Sequence, residues 1–287
     1  LLDLGLSRLI LAVRSEPKGQ DAKKELLVGK SSDKQAVEVW PLDLDSYESI
    51  TSFAERAKGL NRLDIFINNA ALDKLAFEVN KSTGHEESIQ VNYLSLVLLT
   101  ILIVPILKEK NLPEQPGRLV IVNSDVASWA RFKERNSVPL LPAFDDQSNF
   151  DTRDRYDTSK LLGQFFIWEL AKRVPASVAV VNAPNPGLCK SALFREIRGS
   201  IGTFIFAIFK AILGRTVAVG ARSLTDAAVK HAQECHGQYL EDGKIQPLAP
   251  IVYTPEGQRI ARQLWDETME ELAFVGAADI IDGLSAK

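Results

Sequence analysis

The chain has 287 residues, a formal net charge of -3 at pH 7 and 46% hydrophobic residues, which is enough to bury a large core. No linker or charge block divides it, so we predict a single domain over residues 1–287. The scattered acids and bases, the two cysteines and the three histidines without metal-ligand spacing argue against nucleic acid, a disulfide framework and a metal centre, and indicate a reducing, cytoplasmic compartment.

Short apolar runs alternate with helical patterns along the chain. Residues 1–5 are typical of a helix end closed by glycine, and Asp45 followed by Glu48 is a helix-capping pattern. We predict strands at residues 7–13, 36–42, 63–68, 118–123, 177–182 and 238–240, and helices at 45–58, 86–108, 152–173, 216–233 and 255–274, with a further helix between the first two strands. This alternation predicts an α/β fold: an open, doubly wound parallel sheet that binds ligands beyond the carboxyl ends of its strands.

Polar residues follow the predicted strands at those carboxyl ends. They are Asp43 after the second strand, Asn68 and Asn69 after the third, Asn123 and Ser124 after the fourth, and Asn185, Pro186 and Gly187 after the fifth. Each group alone is typical of an ordinary turn. Their recurrence at corresponding strand ends indicates a functional site.

Tyr156 and Lys160 stand four residues apart in the predicted helix 152–173 and therefore share one of its faces. A neighbouring ammonium favours the phenolate and is expected to lower the pKa of the phenol toward the working range, which suits acid/base catalysis. A Tyr and a Lys also meet at this offset by chance in many chains. The polar residues at the strand ends are what favour a catalytic role for this pair.

Together these features resemble the short-chain dehydrogenase/reductase family, from residue 1 to about residue 272. The resemblance is carried by ordered motifs: Asp43-Leu44, Asn68-Asn69-Ala70-Ala71, Gln90-Val91-Asn92, Val122-Asn123-Ser124, Tyr156-Asp157-Thr158-Ser159-Lys160 and Asn185-Pro186-Gly187. The 32-residue step from Ser124 to Tyr156 and the ending Gly237-Gln238-Tyr239-Leu240 are similar to the retinol-dehydrogenase-like branch.

The resemblance implies hydride transfer between a nicotinamide ring and a carbonyl or alcohol carbon. It implies that Tyr156 transfers the proton, that Lys160 tunes the phenol and binds the cofactor ribose, and that Ser124 stabilises the carbonyl oxygen. Asn92 would bend its helix and hold a water, with a polar interior contact as the alternative. The implied cofactor-binding residues are Arg14, Asp43, Leu44, Asn69, Ala70, Tyr156, Lys160, Pro186 and Gly187.

The prediction of the cofactor rests on Arg14. It follows the first strand of this chain, where relatives that prefer NAD usually carry an acidic residue for the ribose hydroxyls. A guanidinium suits a 2′-phosphate instead, with help from Lys18. We therefore predict NADP(H) in preference to NAD(H); the alternative is a solvated surface arginine.

The chain departs from the family pattern in two places. Ala71 stands where Gly is usual. The sequence also has no Thr-Gly-x-x-x-Gly-x-Gly turn to bind the pyrophosphate, and no strand to carry it. In the family that strand lies centrally, between the strands equivalent to residues 7–13 and 63–68. We expect either an N-terminal truncation, in which case the first strand is absent from this chain, or a rearranged sheet. A site that does without the turn would use no nicotinamide.

Residues 188–216 correspond to the family's substrate lid, and the three phenylalanines in 201–209 suit a bulky lipophilic substrate of secondary metabolism, of polyketide, terpenoid, retinoid or steroid type. A homodimer contact and a membrane-surface contact are the alternatives for this stretch. The predicted function is an NADP(H)-dependent oxidoreductase that interconverts a carbonyl and an alcohol. The alternatives are a non-redox isomerase, cyclase or dehydratase that uses Ser124 and Tyr156 without nicotinamide, and a catalytically silent interaction protein.

Overall fold

The structure is a computed structural model that describes residues 1–30, 34–190 and 214–285. Its strands are β1 (Arg8–Val13), β2 (Ala36–Pro41), β3 (Ile65–Asn68), β4 (Gly117–Ile121), β5 (Ala179–Asn185), β6 (Gln238–Glu241) and β7 (Lys244–Gln246). Its helices are α1 (Glu16–Leu27), α2 (Tyr47–Lys58), α3 (Glu87–Lys110), α4 (Arg155–Arg173), α5 (Val217–Val229), α6 (Pro255–Glu271) and α7 (Ala277–Asp282). The sequence predicted β1 to β6 and α2 to α6 to within a few residues and placed a helix between β1 and β2, but it predicted neither β7 nor α7.

The strands form two sheets. β1 pairs in parallel with β2, while β3, β4, β5 and β6 form a parallel series that β7 extends in the antiparallel direction. Helices connect the parallel strands, because a parallel neighbour can be reached only by a crossover. The α/β, doubly wound architecture predicted from the sequence is confirmed, with the sheet interrupted between β1 and β3.

A cleft of about 640 Å³ lies at this interruption. Side chains of both strands line it, including Leu9 and Leu11 from β1 and Ile65 and Ile67 from β3. Each of these strands ends its own sheet, and no strand among residues 1–30, 34–190 and 214–285 pairs with the second edge of either. Backbone groups on such edges are usually paired. The cleft falls where the sequence indicated that a central strand is missing.

Helix α3 crosses the middle of the core. It is the one helix in the described part of the chain that is long and apolar enough to span a membrane, but 89% of its most apolar window is buried inside the protein. It packs against α2 and α7. The neighbouring helix α4 packs against α6, where the rings of Phe166 and Trp265 stack with their centroids 5.8 Å apart. The apolar residues of α3 and α4 are therefore core residues of this chain.

Two charged residues fix the start of α4. The carboxylate of Asp154 accepts hydrogen bonds from the backbone N–H groups of Arg131 (2.7 Å) and Phe132 (3.1 Å). Arg155 is buried between two glutamates, 3.1 Å from Glu134 and 3.7 Å from Glu86 at the head of α3. Breaking a buried ion pair of this kind is expensive, because the remaining charge has lost its solvation. The segment between Ser124 and α4 is thus tied down directly before Tyr156.

Candidate active site

Tyr156 and Lys160 lie in the first turns of α4. The Lys160 ammonium is 5.6 Å from the centroid of the Tyr156 ring, and it donates a 3.2 Å hydrogen bond to the carbonyl oxygen of Val122, just beyond β4. Lys160 is buried, with 5% of its surface exposed. The structure therefore brings the phenol and the amine together at the carboxyl end of the sheet.

The electrostatics of this pair differ from the sequence-based expectation. Burial raises the pKa of Tyr156 above its ordinary value, and the carboxylates of Asp73, Asp157 and Asp125 raise it further. Burial also lowers the pKa of Lys160, to about 8. The prediction that Lys160 lowers the pKa of the phenol is wrong for this structure, because desolvation and three acids outweigh one buried amine. Tyr156 is a neutral hydroxyl at pH 7 and is suited to donate a proton.

Ser124 is held between β4 and α4. Its backbone N–H donates to Oδ1 of Asn123 (2.8 Å), and the Asn123 amide donates to the carbonyl oxygen of Lys160 (3.1 Å). The Ser124 hydroxyl donates to the carboxylate of Asp125 (3.1 Å) and accepts from the N–H of Val126 (3.4 Å). These bonds connect Ser124, through Asn123, to the backbone of α4 at Lys160.

Asn92 lies in a π-helical turn, Gln90–Leu94, within α3. Its side chain accepts from the N–H of Leu72 and donates to the carbonyl oxygen of Leu72, both at 2.8 Å, and it also donates to Ser159 (3.0 Å). The helix irregularity expected at Asn92 is present. Its contacts show the polar interior role, in which Asn92 fixes the loop after β3 to α3 and α4.

We expect Asn92→Ala to destabilise the protein by about 1–3 kcal/mol, because it leaves the half-buried N–H and carbonyl of Leu72 without their side-chain partner. Urea denaturation measures the change, and faster hydrogen exchange at the Leu72 amide locates it. Asn149→Ala is the matched control, since the Asn149 amide makes a single 2.9 Å bond to the carbonyl of Ala143. Equal losses in the two variants would contradict the assigned role of Asn92.

Five of the predicted cofactor residues line the cleft between β1 and β3, at the carboxyl ends of β1, β2 and β3. They are Arg14, Asp43, Leu44, Asn69 and Ala70. Pro186 and Gly187 lie elsewhere, beyond β5, where the Gly187 N–H donates to Oδ1 of Asn185 (2.8 Å) with φ at +72°. Leu72 joins the two parts of the site, because it lines the cleft and is bonded to Asn92.

Asp45 is a site residue whose role the sequence did not show. The cap of α2 is Ser46, whose hydroxyl accepts from the N–H of Ser49 (3.1 Å), so the predicted capping role of Asp45 is wrong. Asp45 instead forms an ion pair with Arg14 at 3.0 Å. Its other carboxylate oxygen, Oδ1, is buried and has no hydrogen-bond partner among the described residues. A buried acceptor without a donor in a ligand-sized cleft fits a hydroxyl-bearing ligand such as a ribose.

The carboxylates around Tyr156 were also missed. Asp157 directly follows Tyr156, but Asp73 and Asp125 come from distant parts of the chain, so no local pattern reveals that the three charges act on one phenol. Burial, followed by the nearby Asp154, Asp73 and Asp125, raises the pKa of Asp157 to about 7. Only the folded arrangement identifies this acidic surrounding.

The predicted lid, 188–216, lies largely outside the described residues, which stop at 190 and resume at 214. Its two ends are joined by backbone hydrogen bonds from Lys190 to Arg215 (3.0 Å) and from Arg215 to Leu188 (2.7 Å). Arg215 also forms a bidentate pair with Asp242, at 2.5 and 3.1 Å. The base of this segment is thereby attached to the turn between β6 and β7.

Comparisons with known proteins show which family the chain resembles. The family model described as short chain dehydrogenase matches residues 2–134. The chain is 48% identical over 290 residues to the short-chain dehydrogenase fogG of Aspergillus ruber, covering 99% of this chain and 83% of that protein.

Two solved structures share the fold. A short-chain type dehydrogenase/reductase from Mycobacterium ulcerans has a TM-score of 0.58 and 16% identity, covering 96% of this chain and 89% of its own. The Pseudomonas aeruginosa RhlG/NADP active-site complex has a TM-score of 0.58 and 20% identity, covering 81% of this chain and 84% of its own.

Parallel strands with polar carboxyl ends, beside a helix that carries a Tyr/Lys pair, define an oxidoreductase of the nicotinamide-binding type. With the relative above at 48% identity, the chain belongs to the short-chain dehydrogenase/reductase family.

Proposed function

We propose that this protein reduces the carbonyl group of a bulky lipophilic substrate to an alcohol, with NADP(H) in preference to NAD(H). The observation that carries the proposal is that α4 places Tyr156 beside Lys160, with Ser124 bonded through Asn123 to the same helix. Burial and three acids raise the pKa of Tyr156, which favours the protonated phenol. A neutral phenol can donate a proton to a carbonyl oxygen, whereas abstraction from an alcohol needs the phenolate. The bound, reduced nicotinamide cofactor supplies the hydride.

The roles of the individual residues follow from their positions. Tyr156 donates its proton to the oxygen that becomes the alcohol hydroxyl. The Ser124 hydroxyl turns from Asp125 toward that oxygen and stabilises its developing negative charge. Lys160, held against the Val122 carbonyl, presents an ammonium to the ribose of the cofactor. Asn92 acts through Leu72 and Ser159 and is a positioning residue.

The cofactor and substrate proposals have separate support. Arg14 lines the cleft at the end of β1 with 60% of its side chain exposed, so its guanidinium is accessible to a 2′-phosphate. Trp129, five residues after Ser124 in the sequence, is 67% exposed and presents an apolar surface to solvent. Together with the phenylalanines of 201–209, it supports a substrate of polyketide, terpenoid, retinoid or steroid type. A cytoplasmic location remains part of this proposal.

The proposal is tested with NADPH deuterated at C4 and a panel of ketones that runs from small polar to large polycyclic compounds. We expect deuterium at the carbinol carbon of the product, and faster turnover of the large apolar ketones. Absence of nicotinamide consumption across the panel would contradict the redox function. Conversion of an enolisable substrate without any nicotinamide would support the isomerase, cyclase or dehydratase.

A further inference from the structure

Arg14 and Asp45 form a pair at the wall of the cleft. Arg14 follows β1, Asp45 lies in the turn after β2, and Nη1 of the arginine is 3.0 Å from Oδ2 of the aspartate. The side chain of Asp45 is 27% exposed, against 60% for Arg14. The cation that would meet a 2′-phosphate is therefore already held by a less exposed carboxylate.

The backbone of Asp45 is fixed on both sides. Its N–H donates to Oδ1 of Asp43 (3.1 Å), and its carbonyl oxygen accepts from the Asn80 amide (2.8 Å). The nearby cation Lys74 is occupied, since its ammonium lies 2.8 Å from both Glu78 and Glu87. The backbone of Asp45 is therefore held in place beside Arg14, and Lys74 is not free to replace that arginine.

We propose that Asp45 determines how the protein reads the 2′-position of the cofactor ribose: it weakens binding of a 2′-phosphate at Arg14, and its free oxygen Oδ1 accepts a 2′-hydroxyl. This inference rests on the proposed nicotinamide function. A phosphate placed on Arg14 meets the negative charge of Asp45 at the same time, whereas a hydroxyl supplies the donor that Oδ1 lacks. The preference for NADP(H) is thereby reduced, and removing the charge of Asp45 strengthens it.

The test uses fragments that probe only this end of the cofactor. Affinities for adenosine 2′,5′-bisphosphate and for 5′-AMP are measured by isothermal titration calorimetry with the full chain and with Asp45→Asn. We expect the ratio of the two affinities to shift about tenfold toward the bisphosphate, through tighter binding of the bisphosphate and weaker binding of 5′-AMP. Asp45→Ser is measured beside it and should shift the ratio in the same direction.

Glu38→Gln is the matched control. Glu38 pairs with Arg8 at 2.7 Å, also across β1 and β2, but it stands opposite Ile10, about 13 Å from Arg14 along the strand. The Glu38→Gln substitution changes the net charge by the same amount as Asp45→Asn. We expect its affinity ratio to stay within about twofold of the ratio for the unmodified chain. Thermal melting shows that each variant is folded.

Three outcomes would overturn the inference: an unchanged ratio in both Asp45 variants, an equal shift in Glu38→Gln, or no binding of either fragment to the unmodified chain. These outcomes are independent of turnover. NADPH consumption with an unchanged ratio would leave the proposed function standing without the role of Asp45. A shifted ratio in a chain that never consumes NADPH would support the role of Asp45 and contradict the redox function.

Discussion

Tyr156→Phe should lower the rate of the chemical step by about 10²–10⁴-fold, because it removes the proposed proton donor and keeps the ring. The substitution should leave substrate affinity largely intact, since the aromatic ring continues to fill its place on α4. The measurement is single-turnover NADPH oxidation with a saturating ketone, compared with the melting temperature of the same sample. The expected result is a slow, normally folded protein.

Tyr253→Phe provides the control for this substitution. Tyr253 is 45% exposed, and its hydroxyl accepts a 2.9 Å hydrogen bond from the N–H of Leu248, distant in sequence from the site. Loss of that bond should cost about 1 kcal/mol of stability and leave the chemical rate unchanged. Full single-turnover activity in Tyr156→Phe would discard the proposed mechanism.

Lys160→Met should abolish reduction and make the protein more stable. Burial holds the pKa of Lys160 at about 8, below the 10.5 of a free lysine. The unfolded chain therefore binds more protons than the folded chain between pH 8 and 10.5, and the charged lysine destabilises the fold at neutral pH. This difference corresponds to a penalty of about 2–3 kcal/mol, reduced by the lost hydrogen bond to Val122.

The stability difference between Lys160→Met and the unmodified chain should change with pH in a defined direction. For the unmodified chain, the contribution of Lys160 to stability should rise from about pH 8 toward pH 10.5. The advantage of Lys160→Met should therefore be largest at pH 7 and should disappear as the pH approaches 10.5, as measured by urea denaturation at several pH values. Lys172→Met is the control on the same helix, because Lys172 is 46% exposed and pairs with Glu169. A Lys160→Met protein that is less stable than the original at pH 7 would refute the burial argument.

Local sequence patterns were sufficient for most of the secondary structure. The apolar run ending at Val13 and the periodic segment ending at Arg173 have the composition and spacing that strands and helices require, and both are present. Asp45 shows the limit of such reasoning. Its spacing to Glu48 matches a capping pattern, but in the structure Ser46 is the residue that caps α2. Asp45 instead forms an ion pair with Arg14, which follows a different strand.

The catalytic group illustrates the same limit. The offset of four residues placed Tyr156 and Lys160 on one face, because the period of a helix is fixed by backbone geometry. The direction of the shift in the pKa of Tyr156 was predicted wrongly, because the shift depends on burial and on Asp73 and Asp125, which lie far from Tyr156 in the sequence.

The sequence by itself determined the alternation of strands and helices, the membership of the family that its ordered motifs indicated, and the face shared by Tyr156 and Lys160. These properties depend on local backbone periodicity and on motif order, which a linear chain displays directly. The tertiary structure alone decided the pairing of Arg14 with Asp45 and the direction in which the pKa of the phenol is shifted. Desolvation and Coulomb interactions act through space, so they depend on neighbours that only folding brings together.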